Sequence, residues 1–250
     1  MRWRYLDSGA GDAATQMSLD AGLMDRARDT REAVLRVYAW SRPTLSFGRH
    51  EAVRVRFTPA ELQRLGMDAV RRPTGGRVLL HDHEVTYSVT APAGAGESLR
   101  ERYRTINALL LQALRRLGVQ AEEADAPHRA APTCFAAPNR GELVVDGRKL
   151  VGSAQLCERG AVLQHGSILV TDDQAAIALA SGGRVPSPPP AATLEQCLGR
   201  SPSYATVRDA LIDALLERHP DSRPLAAAEA APWGLVHQQF FADAEWTWRR

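Results

Sequence analysis

Two side chains in the stretch from Pro132 to Gly166, PTCFAAPNRGELVVDGRKLVGSAQLCERGAVLQHG, are of types suited to covalent chemistry. Lys149 is the only lysine in the chain, since every other basic side chain among its 31 Lys and Arg is arginine. An ammonium is a compact point charge on a flexible stem, whereas a guanidinium is a wide planar fork. A single lysine between Gly147 and the Gly152-Ser153-Ala154 run therefore reads either as a functional amine or as a stray residue in an Arg-rich composition. Cys134 lies in a loop between Pro132 and Pro138, and loops held by a scaffold are where reactive groups sit. A cysteine attacks as thiolate and needs a positive or hydrogen-bonding neighbourhood, which Lys149 can supply if the two converge. The competing reading of Cys134 is a small buried hydrophobe. Cys157 and Cys197 have no supporting context, and the three cysteines show neither metal-ligand spacing nor a disulfide framework, so free thiols are expected.

A second informative stretch is Arg71 to Val89, RRPTGGRVLLHDHEVTYSV. Paired glycines let a backbone approach a ligand closely and expose N–H donors, while flanking arginines attract an anionic or polar group. The same pattern also suits a plain hairpin turn. It is not a Walker loop, because no Gly-Lys-Ser/Thr follows, nor a dinucleotide fingerprint, because strand rather than helix follows. His81 and His165 are candidates either for substrate contact or for satisfied core positions. His83 beside Glu84 lacks a second ligand pair at helical or knuckle spacing, so no metal site is expected. The absence of a Gly-x-Ser-x-Gly elbow makes a serine hydrolase a poor reading.

The elements that must position these groups follow from periodicity and punctuation. Strands are expected at Trp3–Leu6, Val34–Trp40 and Thr44–Gly48, the last two as a neighbouring pair across the Ser-Arg-Pro turn. A helix follows the GAGD turn from Gly11 to Arg28, and Thr58 with Pro59 starts a short one. Ala69–Arg72 is extended, and apolar strand-like runs flank His81-Asp82-His83. Ala91 to Glu97 is a loop, and Ser98 with Glu101 predicts a capping box for a helix to Leu117. After a strand at Val119–Glu122 and an Ala/Pro-rich connection, Asp146-Gly147 predicts a tight hairpin between Glu142–Val145 and Lys149–Gln155. Gly160–Val170 continues as strand. Thr171 is expected to cap a helix over Asp172–Ala180, a Pro-rich loop follows, and helices are expected from Ser203 or Thr206 to Arg218 and through Leu235, Phe240 and Phe241. Lys149 thus opens a strand just past a turn. No repeat or linker interrupts the 250 residues, which predicts a single domain.

The bulk figures exclude several classes. A hydrophobic fraction of 44% and a charged fraction of 24% are ordinary for a globular chain, and a net charge of +2 is too mild for nucleic-acid binding. No apolar run is long enough to span a bilayer and the N-terminus lacks a signal-peptide core, so a cytoplasmic protein with no membrane partner is expected.

Taken together, RRPTGGRVLLHD and, some sixty residues on, DGRKLVGSAQ followed by LQHGSIL resemble the lipoate-protein ligase and octanoyltransferase family, related in fold to biotin protein ligase. YAWSRPTLSFGRHE resembles that family's aromatic-Pro-Ser-Gly-Arg strand pair and TQMSLDAGLM its opening helix, so the resemblance extends over most of the chain. It implies an α+β domain with a mixed central sheet and flanking helices, and an acyl tunnel beside the double-glycine strand. By the same resemblance Lys149 contacts the acyl carbonyl or its activated phosphate. Arg72, Thr74, Gly75, Gly76, Arg77 and His81 line the acyl site, facing Gly152, Ser153, His165 and Gly166. Within the family, ligases activate a free acid with ATP and Mg, whereas transferases pass octanoate from a thioester through a cysteine. PTCF resembles the cysteine loop of the Gram-positive type of octanoyltransferase. Arg77 stands where ligases usually show a third glycine, and Leu156 lies near where they often carry an arginine. Octanoyl transfer through Cys134 and Lys149, without cofactor, is therefore expected. The implied donor is acyl carrier protein and the implied acceptor a lipoyl-domain protein, either the glycine cleavage H protein or a 2-oxoacid dehydrogenase E2. The alternatives are an ATP-dependent lipoate ligase and a non-catalytic acyl- or protein-binding module.

Overall fold

A computed structural model of the chain describes residues 1–94, 98–125 and 131–249. Strand β1 (Arg2–Gly11) ends at Asp12, whose carboxylate accepts from the Thr15 amide and caps helix α1 (Ala13–Thr30). Strands β2 (Glu32–Trp40) and β3 (Thr44–Phe47) follow. Thr58 caps α2 (Pro59–Arg64), and β4 (Asp68–Arg71), β5 (Leu79–His81) and β6 (Glu84–Pro92) come next. The Ser98/Glu101 capping box starts α3 (Leu99–Arg116), and β7 (Glu122–Glu123) is a short edge piece. The Asp146-Gly147 turn joins β8 (Leu143–Val145) to β9 (Arg148–Glu158), and β10 (Ala161–Leu169) runs back beside β9. The chain closes with α4 (Ala176–Ala180), α5 (Leu194–Leu198), α6 (Tyr204–Arg218), β11 (Arg223–Pro224), α7 (Ala227–Ala242) and α8 (Ala244–Trp248).

The strands form a mixed eight-stranded sheet in the order β11-β1-β2-β6-β10-β9-β8-β7 and a three-stranded sheet in the order β4-β3-β5. Only the contacts β1–β2 and β1–β11 are parallel in the large sheet. One face of that sheet carries Leu35, Val37, Val85, Tyr87, Val89, Val151 and Ile168, all buried against α3 and α6. Its opposite face lies under α1 and is far more polar, with Arg36, Thr86, Ser88, His165 and Ser167 all buried. A sheet covered on both sides needs apolar contact on each, or polar groups that are all paired. The second solution is the one used beneath α1.

Several expected elements differ. β2 and β3 are not a pair: β2 is hydrogen-bonded on both sides, by β1 and β6, so β3 turns away at Ser41-Arg42-Pro43 and builds the small sheet with β4 and β5. The runs on either side of His81-Asp82-His83 likewise fall in different sheets. The strand expected at Val119–Glu122 is reduced to Glu122–Glu123, because the Val119 amide still bonds Leu114 O in the helix terminus. Thr171 caps no helix: its hydroxyl donates to Asp173, and α4 starts only at Ala176. β6 extends through Ala91 and Pro92, which were expected to be loop. The remainder of that loop at 95–97 and part of the Ala/Pro-rich connection, 126–130, lie outside the described residues. The short α5 and β11 carried too little periodicity to be seen in the sequence.

Helices α1 and α7 cross with their backbones touching. A Cβ on Gly22 would collide with the Trp233 carbonyl. Gly22→Ala should therefore lower stability by about 1–3 kcal/mol through overpacking, despite a helix-propensity gain of about 1 kcal/mol. Thermal unfolding followed by circular dichroism should show a midpoint several degrees lower; an unchanged or raised midpoint would show that the two helices can part without cost.

Candidate active site

The polar face beneath α1 lines a cavity of about 340 Å³. Strand register builds its floor in rows across the sheet. Tyr38 pairs with Thr86, Thr86 with Ser167, and Ser167 with Gly152, so one row crosses β2, β6, β10 and β9. The next row is Arg36, Ser88, His165 and Ala154. The small sheet forms a wall through Ser46, Leu79 and His81, and the loop around Cys134 forms the mouth with Gly76 and Arg77.

Cys134 is pinned from three directions. Its amide donates to Val78 O at 3.0 Å, its thiol donates to Arg77 O at 2.9 Å, and Lys149 Nζ donates to its carbonyl at 2.6 Å. The thiol itself stays partly accessible. Lys149, 3% exposed, also pairs with Glu142 Oε1 at 2.5 Å, and Glu142 Oε2 accepts from the Asn139 amide at 2.7 Å. A glycine at 152 leaves the space that the Lys149 stem occupies. Cysteine and lysine thus converge, but the amine holds the main chain of the cysteine rather than its sulfur.

The cation facing the sulfur is Arg72, with Nη2 at 3.7 Å from Sγ. The same guanidinium donates to Ser46 O at 2.9 Å, Gly75 O at 2.8 Å and Arg77 O at 2.7 Å. It therefore both folds the double-glycine turn and carries a permanent charge to the thiol. Gly76, with φ 98°, places its carbonyl where a Cβ on Gly48 would collide with it. Gly75 serves through its carbonyl and Thr74 through its hydroxyl; neither lines the cavity, whereas Arg72, Gly76, Arg77, His81, Gly152, Ser153, His165 and Gly166 do.

Both histidines are held by a carboxylate on Nδ1 and a hydroxyl on Nε2. His165 lies 3.0 Å from Asp20 Oδ2 and 2.6 Å from Thr74 Oγ1. His81 lies 2.8 Å from Glu84 Oε1 and 2.8 Å from Ser46 Oγ, with Trp40 stacked on its ring at 4.1 Å. Burial pushes the pKa of Asp20 up, but the Arg36 guanidinium at 2.7 Å and the hydrogen bonds from His165 and Ser88 outweigh it, and the carboxyl is held below its usual value. Burial pushes the His165 imidazole down, Asp20 opposes this, and Arg72 and His81 add to it, so the net is a lowered pKa. A neutral ring facing an ionised carboxylate carries its proton on Nδ1, which leaves Nε2 to accept from Thr74.

Glu142, Asp20, Met17 and Tyr38 went unremarked in the sequence as site residues. Met17, Asp20 and Met24 share a helix face by their spacing, so an acid among core positions was the available signal for Asp20. Glu142 gave none, since a single acid at a strand start is usually solvated. Asp82, His83 and Asp173 bring ligand-type atoms within 4.8 Å of one another outside the lining of this cavity, where His83 Nδ1 is hydrogen-bonded to Asp173 Oδ2 at 2.7 Å. No helix among the described residues is long and apolar enough to cross a membrane.

Comparison with known proteins gives the following. The family described as the lipoyl protein ligase A/B catalytic domain matches residues 12–216. Octanoyltransferase LipM of Kyrpidia tusciae is 43% identical over 187 residues, which are 70% of this chain and 68% of that protein. LipM of Moorella thermoacetica is 34% identical over an alignment of 281 residues, covering 99% of this chain and 98% of that one. Among solved structures, the T. acidophilum protein Ta0514 with bound lipoic acid superposes with a TM-score of 0.83 at 20% identity, covering 99% and 100% of the two chains. A lipoate-protein ligase A bound with ATP gives 0.81 at 19%, covering 99% of each. At these identities the structural likeness is one of fold.

The lowered His165 pKa has a definite sign in stability. As pH falls through about 6.5, the unfolded chain takes up a proton that the folded chain refuses, so the contribution of this residue is present above that pH and declines below it. Asp20, held below its usual value, stays ionised in this window. The stability difference between the native chain and His165→Gln, from urea unfolding at pH 7.5, 6 and 5, should shrink as pH falls. A difference constant across that range would contradict the assignment of His165 as buried and neutral.

Proposed function

The chain belongs to the lipoyl protein ligase A/B catalytic-domain family, and we propose that it is an octanoyltransferase that moves an octanoyl group from a thioester to a lysine of a lipoyl-domain protein. The observation that carries this reading is the cysteine itself: a pinned, partly accessible Sγ at the mouth of a cavity, with Arg72 Nη2 at 3.7 Å. A ligase activating a free acid with a nucleotide has no use for such a thiol. Relatives that match over most or nearly all of the chain, octanoyltransferases LipM of Kyrpidia tusciae and Moorella thermoacetica, point the same way.

The Cys134 thiolate attacks the thioester carbonyl, forming a C–S bond and a tetrahedral oxyanion; collapse breaks the donor's C–S bond, and the donor thiol departs with the proton. Exchange of one thioester for another is nearly isoenergetic and requires no ATP. Arg72 offsets the charge of the thiolate, and the buried ammonium of Lys149, fixed by Cys134 O and Glu142, presents its remaining N–H to the oxyanion. In the second half, the acceptor amine, having lost a proton, attacks the acyl-cysteine. A C–N bond forms, the Cys134 C–S bond breaks, and the thiol is regenerated. The donor is an acyl carrier protein. The acceptor is the glycine cleavage H protein or an E2 lipoyl domain.

Supplied with a lipoyl-domain acceptor, the enzyme should work with octanoyl-carrier protein and no ATP, and should fail with octanoate or lipoate plus ATP. Activity only in the ATP reaction, retained by Cys134→Ser, would refute the transfer mechanism. Lys149→Arg should fold normally and lose about 100-fold or more in kcat, the usual cost of one oxyanion donor. Full activity in that variant would remove the lysine from the mechanism.

A further inference from the structure

We propose that Met17 ends the acyl channel and sets the length of chain that Cys134 accepts, an inference that rests on the octanoyl-transfer reading and deepens it. The cavity floor has a direction. Lys149 and Gly152 belong to β9, and Lys149 Nζ bonds the carbonyl of Cys134, so the loop that carries the reacting sulfur is anchored at the β9 end of the row. Tyr38 stands at the β2 end of the same row, and Met17 of α1 packs with Tyr38 and Trp40.

Two physical arguments place the end of the acyl chain against Met17. The first is length. With strands about 4.8 Å apart, the three intervals from β9 to β2 span about 14 Å. An eight-carbon chain with bonds of about 1.5 Å in a zigzag reaches roughly 9 Å. The terminal methyl therefore arrives about one strand interval, roughly 5 Å, short of β2, a gap that the Met17 side chain, packed on Tyr38 and Trp40, is long enough to fill. The second is polarity. Tyr38 donates to Asp20 at 3.1 Å, Thr86 donates to Glu84, and Ser167 lies 3.3 Å from His81 Nδ1, so the hydroxyls of the row are engaged with protein groups. They tolerate an alkyl chain but offer it little. Of the large apolar side chains lining the cavity, Leu79 packs at the cysteine end with Phe135, and Met17 is at the other. Met17 is 1% exposed, and its unbranched thioether can close a channel without a fixed shape of its own.

The test uses the full chain with hexanoyl-, octanoyl- and decanoyl-pantetheine thioesters, following acyl-Cys134 formation by intact-protein mass. The native chain should react fastest with octanoyl. Met17→Ala should raise the decanoyl-to-octanoyl rate ratio about tenfold or more, and Met17→Phe should raise the hexanoyl-to-octanoyl ratio similarly, in line with one or two methylenes in an apolar pocket. Circular dichroism checks that each variant folds, and Met17→Leu, close in volume, serves if the alanine variant does not: being shorter, it shifts the profile in the alanine direction. Folded variants that keep the native ratios overturn the proposal. A native chain that gains no acyl mass from any of the three thioesters sinks the transfer reading itself, and is thereby distinguished from a failure of the Met17 assignment alone.

Discussion

The buried Asp20 carboxylate is the interaction on which the site depends. It is fully removed from water, and it accepts from Arg36 and Ser88 at 2.7 Å, His165 at 3.0 Å and Tyr38 at 3.1 Å. These partners come from β2, β6 and β10, so one side chain of α1 is tied to three adjacent strands. An unpaired charge there would cost several kcal/mol. With four donors in place the helix has one register on the sheet, and the cavity is the space left beside that contact.

From this centre the order passes outward through hydrogen bonds to backbone carbonyls. His165, oriented by Asp20, holds Thr74; Thr74 O accepts from the Arg49 amide at 2.8 Å, and Arg72 gathers the carbonyls of Ser46, Gly75 and Arg77. Lys149 does for the cysteine loop what Arg72 does for the glycine loop. Each cation is bound to main chain on one side and faces the thiol or the cavity on the other. A fork with several donors suits the first task, and a compact ammonium, a point charge, suits a position where charge develops and disappears. Arg71, fully buried beside them, donates to Gly48 O and to Thr247 O and Arg249 O, which ties the C-terminal helix to the same loop.

Much of the element list was legible because its signals are local. The Ser98/Glu101 capping box, the Thr58-Pro59 helix start and the Asp146-Gly147 hairpin each depend on residues within a few positions of one another. The separation of β2 from β3 was not legible, because it depends on which strands already occupy both edges of β2, and those come from distant parts of the chain. The short α5 and the two-residue β11 likewise owe their existence to neighbours rather than to periodicity.

For the site, the sequence by itself determined the reactive types. A lone lysine, a loop cysteine, a double glycine flanked by arginines and two histidines were readable because their chemistry is intrinsic to the side chain. Only the tertiary structure decided which cation meets the sulfur. Sequence proximity suggested Lys149, fifteen residues from Cys134, yet Arg72, sixty-two residues away, is the one whose guanidinium reaches Sγ. The physical reason is that charge acts through space: a pairing between strands and loops of two sheets is fixed by register and by the carbonyls a guanidinium can gather, and neither is written in the local order of residues.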